Sequence, residues 1–394
     1  MPARTRSRAR IRPLLAAVAL CGSLAACSAG AASAPRAAED AKPAENPAKV
    51  TVVSPAAGRT VTVTATGGAL TVVKVVDADG GVLAGRTGAG GASWVSDRKA
   101  APGTSYRVEA TARTAGGKET TTRSTFTTPE ATRVNKVTLA PGKDTTVGVG
   151  QPLSIVFDRP VTHKAEVERQ LKVTTSNGTV GSWGWLKDWS GNDRVDWRPK
   201  EYWKPGTKIT LDATLNGTDS GGGWFVRDYR TGFTVAGAAQ VVKVDLDRKK
   251  LVLERDGRPL RTIPVSGGTP GGDKRSWRGT AVLMAKEGTI NMNSETVGLG
   301  DAYDKMVDFS MRLTWSGMYA HAAPWNAAHF GRANRSSGCI GMSDGDAAWF
   351  YGQVRAGDPF EIRGADTKGT VAEGNGYGAW NTSWEQWKAK SALA

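Results

Sequence analysis

The chain has 394 residues and a formal charge of +15, from 52 Lys and Arg against 37 Asp and Glu, with three histidines and three cysteines. Such a length suggests about two to four domains, and no stretch reaches the ~20 consecutive apolar residues of a membrane-spanning helix. The lack of a His-Glu-x-x-His motif and of a second usable thiol argues against a zinc site; no other cofactor is called for, and no cluster of Lys, Arg and aromatics points to nucleic acid.

At the N-terminus, Arg4, Arg6, Arg8, Arg10 and Arg12 precede an apolar run from Leu14 to Ala26, the pattern of an export signal. The run ends Leu24-Ala25-Ala26-Cys27, which matches the lipobox where bacterial lipoproteins are cut and diacylated. Residues 1–26 are therefore expected to be a lipoprotein signal. Cys27 would be the lipidated first residue, anchoring the protein to the outer face of the cell membrane. Without the five signal arginines the formal charge is about +10, which suits a polyanionic cell wall. Residues 27–48, rich in Ala, Pro, Ser and Glu without apolar periodicity, read as a flexible tether.

Two β-rich segments follow, 49–129 and 130–236. In the first, the β-branched runs Val61–Ala65 and Leu70–Val76 flank Gly67-Gly68, a strand–turn–strand signal. An internal repeat links the two segments. Pro102-Gly103-Thr104-Ser105-Tyr106-Arg107-Val108-Glu109-Ala110-Thr111 is echoed by Pro205-Gly206-Thr207-Lys208-Ile209-Thr210-Leu211-Asp212-Ala213-Thr214, each followed by a closing strand around Phe126 or Phe233. The offset of about 100 residues is the size of an immunoglobulin-like sandwich, and spacing is the role expected of both copies.

A third region spans 237–364. Val241–Leu246 and Lys250–Glu254 read as a hairpin, Asp256-Gly257 as a turn, and the glycine-rich tract Ser266–Gly272 as a mobile loop over a cleft. Ser343 is expected to cap a helix that runs through Ala347, Phe350 and Val354 to Gly357. In the tail, 365–394, Trp380, Trp384 and Trp387 are spaced to share one helical face. The expected fold is thus mainly β: two immunoglobulin-like sandwiches, then a third β-rich domain with a short C-terminal helical tail packed on it.

Cys21 lies within the export signal and Cys27 at its end, so Cys339 is the free thiol of the mature chain. An exported protein that keeps an unpaired thiol has a chemical use for it, because oxidation is a standing hazard there. A thiol attacks as thiolate and needs a base or positive neighbour. No histidine follows Cys339, so a histidine base lies upstream. His163 falls in the second sandwich as a surface residue. His329 sits among small loop residues, whereas His321 ends an expected strand, Ser316–His321, which favours His321 and leaves His329 open. Backbone N–H groups around Gly338 and Cys339 are candidate donors to a developing oxyanion.

The segment resembles the L,D-transpeptidases with the YkuD catalytic fold, whose signature is His, about 14 to 17 residues, then Ser/Thr-His-Gly-Cys. Here His321 is followed by fourteen residues and then Ser336-Ser337-Gly338-Cys339. The flanks Tyr319-Ala320-His321-Ala322-Ala323-Pro324-Trp325 and Ala348-Trp349-Phe350-Tyr351 resemble actinobacterial members, which also carry a lipobox and two immunoglobulin-like domains. The resemblance implies that Cys339 attacks the carbonyl joining the third and fourth residues of a peptidoglycan stem tetrapeptide. D-Ala leaves, and another stem's diamino acid resolves the thioester as a 3→3 crosslink. His321 matches the base, and Gly338 with Cys339 the oxyanion donors, supported by Ser336 and Ser337. Tyr303, Ser316, Gly317, Tyr319, Trp325 and Gly341 match positions that touch substrate. Carbapenems are expected to acylate the thiol.

Three departures from the family pattern stand out. Ser337 replaces the signature's second histidine, Gly341 replaces the usual Asn, and Ala322 follows the base where Ser is frequent. They keep two other readings in play: a degenerate peptidoglycan-binding or scaffold lipoprotein, and an L,D-carboxypeptidase that transfers to water.

Overall fold

The computed structural model describes residues 46–394 apart from Ala57 and Ala302, and side chains apart from that of Val297. The export signal, Cys27 and nearly all of the tether lie outside the described residues.

Thr60–Thr66 alternates Thr with Val61, Val63 and Ala65, so one face carries the apolar side chains and the other the hydroxyls. Such strands need a second sheet to cover the apolar face. In the first domain a four-stranded sheet, in the order Lys49–Val53, Thr60–Thr66, Ser93–Lys99, Gly85–Thr87, faces a three-stranded one of Ala69–Asp77, Ser105–Arg113 and Glu119–Thr127. Val61, Val63, Val75, Trp94 and Tyr106 fill the space between. The second domain packs Gly181–Lys187, Asp193–Pro199, Leu153–Phe157 and Val137–Ala140 against Leu171–Thr175, Lys208–Ala213, Tyr229–Val235 and Thr146–Val147. Its core holds Trp183, Trp185, Trp197 and Trp203.

The internal repeat marks one recurring unit. Gly103 and Gly206 both take positive φ, 62° and 75°, to turn the chain into a strand. Each strand then pairs antiparallel with the closing one, Tyr106 opposite Phe126 and Ile209 opposite Phe233.

The third domain has two sheets. One runs Arg258–Pro264, Lys250–Arg255, Gln240–Asp245, Pro359–Arg363, Gly279–Val282; the other runs Ala285–Asn293, Asp304–Arg312, Tyr319–Ala322, Ile340–Met342. Between them lies an apolar core that includes Val242, Leu251, Met311, Ala320, Ile340 and Phe360. Ser343 caps the helix Asp344–Gln353, its hydroxyl accepting from the Asp346 N–H. That helix stops at Val354, short of the expected Gly357. Gly357 instead takes φ 94° and lies against the second sandwich, where an added Cβ would meet the Gly148 nitrogen at 2.5 Å.

The tail does not form one helix. Trp380 belongs to a 3-10 turn, Gly378–Asn381, and Trp384 and Trp387 to the helix Trp384–Lys388, because extended Thr382 and the Ser383–Gln386 capping box break the chain between them. The three rings converge instead on Arg198 of the second sandwich, at 4.8, 5.6 and 4.9 Å from the guanidinium carbon. The tail straddles two domains rather than resting on the catalytic one alone. Trp387 Nε1 donates to Ser182 O, and Asn381 holds the Thr280 backbone.

Candidate active site

The parallel pairing of Tyr319–Ala322 with Ile340–Met342 sets Ala320 opposite Ile340 and His321 opposite Gly341. Side chains alternate across a strand. Ala320, Ala322, Ile340 and Met342 therefore enter the core, and His321 shares the other face with Cys339, the residue just before its strand. The two are 5% and 7% exposed. A cleft of about 200 Å³ opens beside them, with Tyr303, Trp325, Ser336 and Ser337 also in its wall. A smaller cavity, about 30 Å³, lies against Ser316, Gly317, Ser337 and Gly338.

The loop before Cys339 is pinned at nearly every residue. Ser336 Oγ donates to Cys339 O at 2.6 Å and accepts from Gly338 N at 3.2 Å. Ser276 Oγ, buried, donates to Gly338 O at 2.8 Å and accepts from Gly268 N at 2.9 Å. Gly338 has φ 118°, a conformation that L side chains rarely adopt. The tract Ser266–Gly272 is no free lid over the cleft. Ser266 pairs both ways with Gly341, Gly267 O accepts from Ser336 N, and Thr269 N donates to Ser336 O. Gly268 is Gly because a Cβ there would meet Lys274 O at 2.2 Å. The tract buttresses the thiol's loop from behind.

His321 Nδ1 lies 2.6 Å from Ala322 O. A carbonyl can only accept, so Nδ1 carries the proton and Nε2 keeps the lone pair. Burial disfavours the imidazolium and, despite the Ala322 carbonyl and together with the Lys305 charge, lowers the pKa to about 4. Burial likewise pushes the Cys339 thiol up to about 11, opposed by a hydrogen bond from the Tyr319 backbone. The thiol lies 3.6 Å from Gly317 O. At neutral pH the site therefore rests as a thiol beside a neutral imidazole. Burial, then the proximity of Cys339, pushes Tyr303 up to about 12, so its hydroxyl stays a donor.

The other residues singled out in the sequence fall as follows. Trp325 stacks on His321, ring centroids 6.0 Å apart. Ser316 and Gly317 sit in a turn ahead of the strand, which starts only at Tyr319; the Ser316 hydroxyl accepts from Trp277 Nε1 and Asn375 Nδ2. Two assignments are corrected. The Tyr319 side chain is turned from the cleft, its hydroxyl donating to Glu287 Oε2 at 3.1 Å, so it is the backbone of Tyr319 that meets the sulfur. Gly341 does not line the cleft: both its backbone groups bond Ser266, and a Cβ there would meet Ala323 Cβ at 2.9 Å. The Gly338 N–H, expected at an oxyanion, is directed at Ser336 Oγ. Among the described residues the N–H groups of Ser337 and Cys339 have no acceptor. His329 ends the 3-10 segment Pro324–His329, and exposed His163 stands at the N-cap position of the short helix Lys164–Glu168 without a capping bond from its side chain.

Ser276, Glu287, Asn375, Lys305 and Arg335 were missed as site residues. Ser276 lies in Ser276-Trp277-Arg278-Gly279, which stands where the resembling family often has Thr-Pro-x-Gly, whereas nothing local marked Asn375, which reaches Ser316, or Glu287, which holds the Tyr319 hydroxyl away from the cleft. Arg335 abuts the motif, and its charge was a usable sign.

This fold and site define a cleft-borne Cys–His pair on a YkuD-type domain behind two immunoglobulin-like domains. The sequence pattern of the L,D-transpeptidase catalytic domain matches residues 239–362, and that of a bacterial Ig domain matches 51–219, a span running across both sandwiches. L,D-transpeptidase 2 of Mycobacterium tuberculosis is 33% identical over 343 residues, 85% of this chain and 81% of that protein. L,D-transpeptidase 1 of the same organism is 32% identical over 230 residues, 57% of this chain and 84% of that protein. A solved structure of an L,D-transpeptidase in complex with imipenem is similar with a TM-score of 0.50 at 31% identity, covering 58% of this chain and 100% of that one. The chain belongs to the L,D-transpeptidases.

Proposed function

We propose that this protein forms 3→3 crosslinks in peptidoglycan through a thioester on Cys339. The observation that carries the reading is the shared sheet face of Cys339 and His321, with the imidazole held so that Nε2 is its free acceptor. The thiol attacks the carbonyl between the third and fourth residues of a stem tetrapeptide as Nε2 takes its proton. The carbon–nitrogen bond breaks, the proton passes to the departing D-Ala amine, and a thioester remains. The N–H groups of Ser337 and Cys339 supply donors to the oxyanion. The side-chain amine of a second stem then attacks, its proton returns through His321 to sulfur, and the crosslink is released.

We place the mature chain on the outer face of the membrane, tethered by acylated Cys27. Carbapenems acylate the same thiol in this reading, in keeping with the imipenem complex of the related enzyme. The test is intact mass of the soluble form after exposure to a carbapenem, followed by tetrapeptide turnover. A single adduct lost in Cys339→Ala, together with crosslinked dimer and free D-Ala, is expected. An unmodified protein refutes the active enzyme; D-Ala without dimer favours a carboxypeptidase.

A further inference from the structure

Two cations without acid partners line the cleft beside Cys339. Lys305, in the strand Asp304–Arg312, holds its ammonium 4.3 Å from the Trp325 ring centroid. Arg335, exposed, enters from the loop that carries Ser336 and Ser337. Among the described residues neither forms an ion pair, and no Asp or Glu lines the cleft. Three other arginines of the domain do find acid partners, Arg275 with Asp366, Arg312 with Glu287 and Arg363 with Asp245. Two cations on the wall of one cleft that holds no acid make its potential positive, an arrangement that favours an anion. The Lys305 charge also reaches the buried His321 ring and opposes its protonation. An anion bound at Lys305 would offset that charge and leave His321 a stronger base.

We propose that Lys305 and Arg335 form a carboxylate-binding subsite of this cleft, selecting acyl donors that carry a free carboxylate near the scissile carbonyl. The inference rests on the L,D-transpeptidase reading above. Two groups of a stem tetrapeptide have this chemistry. One is the terminal carboxylate of the fourth residue, which departs with the leaving group. The other is a carboxylate at the far end of the diamino acid, which stays with the acyl-enzyme and is neutralised by amidation. Arg335 offers a planar fork that matches a carboxylate edge, and Lys305 a compact charge on a flexible stem.

The experiment uses the soluble chain and four synthetic tetrapeptides: both carboxylates free, each amidated alone, and both amidated. Thioester formation is followed by quenched intact mass for the wild type, Lys305→Gln, Arg335→Gln and Lys305→Glu. The wild type is expected to prefer the diacid over at least one monoamide by about tenfold, the scale of one charge-assisted hydrogen bond. A Gln variant should bring that ratio close to one, and Lys305→Glu should invert a preference that Lys305 reads. The monoamide that loses rate identifies which carboxylate is bound. Rate ratios within one preparation are insensitive to a partly misfolded fraction. Equal thioester rates for all four donors in the wild type, or ratios unaltered in both Gln variants, overturn the subsite alone. No thioester with any donor overturns the transpeptidase reading and the subsite with it.

Discussion

Cys339 is expected to rest as a thiol, not as half of a preformed thiolate–imidazolium pair. With the thiol at about 11 and the imidazole at about 4, moving the proton from sulfur to Nε2 in the empty site costs on the order of 10 kcal/mol at 1.36 kcal/mol per unit. For ions brought to roughly 4 Å, attraction at an effective dielectric of about 20 would return about 4 kcal/mol. The ion pair therefore remains a very minor species, and deprotonation must accompany attack on a bound carbonyl. Alkylation of the free protein by iodoacetamide, read on Cys339 by mass, checks this directly. Because a raised thiol pKa keeps sulfur protonated until the pH climbs past it, the rate should rise about tenfold per pH unit from pH 6 to pH 9. Absorbance near 240 nm should show no thiolate at pH 7. An alkylation rate already level between pH 6 and pH 8 would refute the reasoning, since it requires a thiolate formed before substrate arrives.

Three other perturbations probe the scaffold. Asp358 is 1% exposed and burial lifts its carboxyl from 3.8 to about 6. The folded state thus holds this proton more tightly, so its contribution is neutral below about pH 4, turns unfavourable as the pH rises to 6, and stays level above, by about 3 kcal/mol. Asp358→Asn should raise Tm at pH 7.5 and leave it unaltered at pH 4; an equal gain at both would contradict the sign. Ser276→Ala leaves the Gly268 N–H and Gly338 C=O unpaired in a buried place, so urea unfolding should show a loss of about 2–4 kcal/mol, and a change under 0.5 kcal/mol would mean that these groups find other partners. Gly341→Asn, which restores the residue usual in the family, sets a Cβ 2.9 Å from that of Ala323 and should cost about 1–3 kcal/mol. Pairing it with Ala323→Gly should recover part of that loss in Tm.

Local chemistry made several features legible in the sequence. Alternating Thr and Val at Thr60–Thr66 specify a strand with one wet face, the repeat begun at Pro102 and again at Pro205 marks a recurring strand unit, and Ser343 caps the helix that follows. The residues alone left His321 and His329 open as the base, and it was the resemblance to the family signature, fourteen residues ahead of Ser336–Cys339, that singled out His321. Facing and partnership were not readable. Whether Tyr319 turns to substrate or to Glu287, whether Gly341 meets ligand or Ala323, and whether three tail tryptophans share a helix or enclose Arg198 depend on residues remote in sequence. The protonation state of Cys339 and His321 belongs to this second kind, since burial sets it and burial is a property of the assembled domain. The sequence by itself determined the residue types at the site and the strand and turn that present them. Only tertiary packing decided what surrounds the thiol, because solvent exclusion and charge act through space and not along the chain.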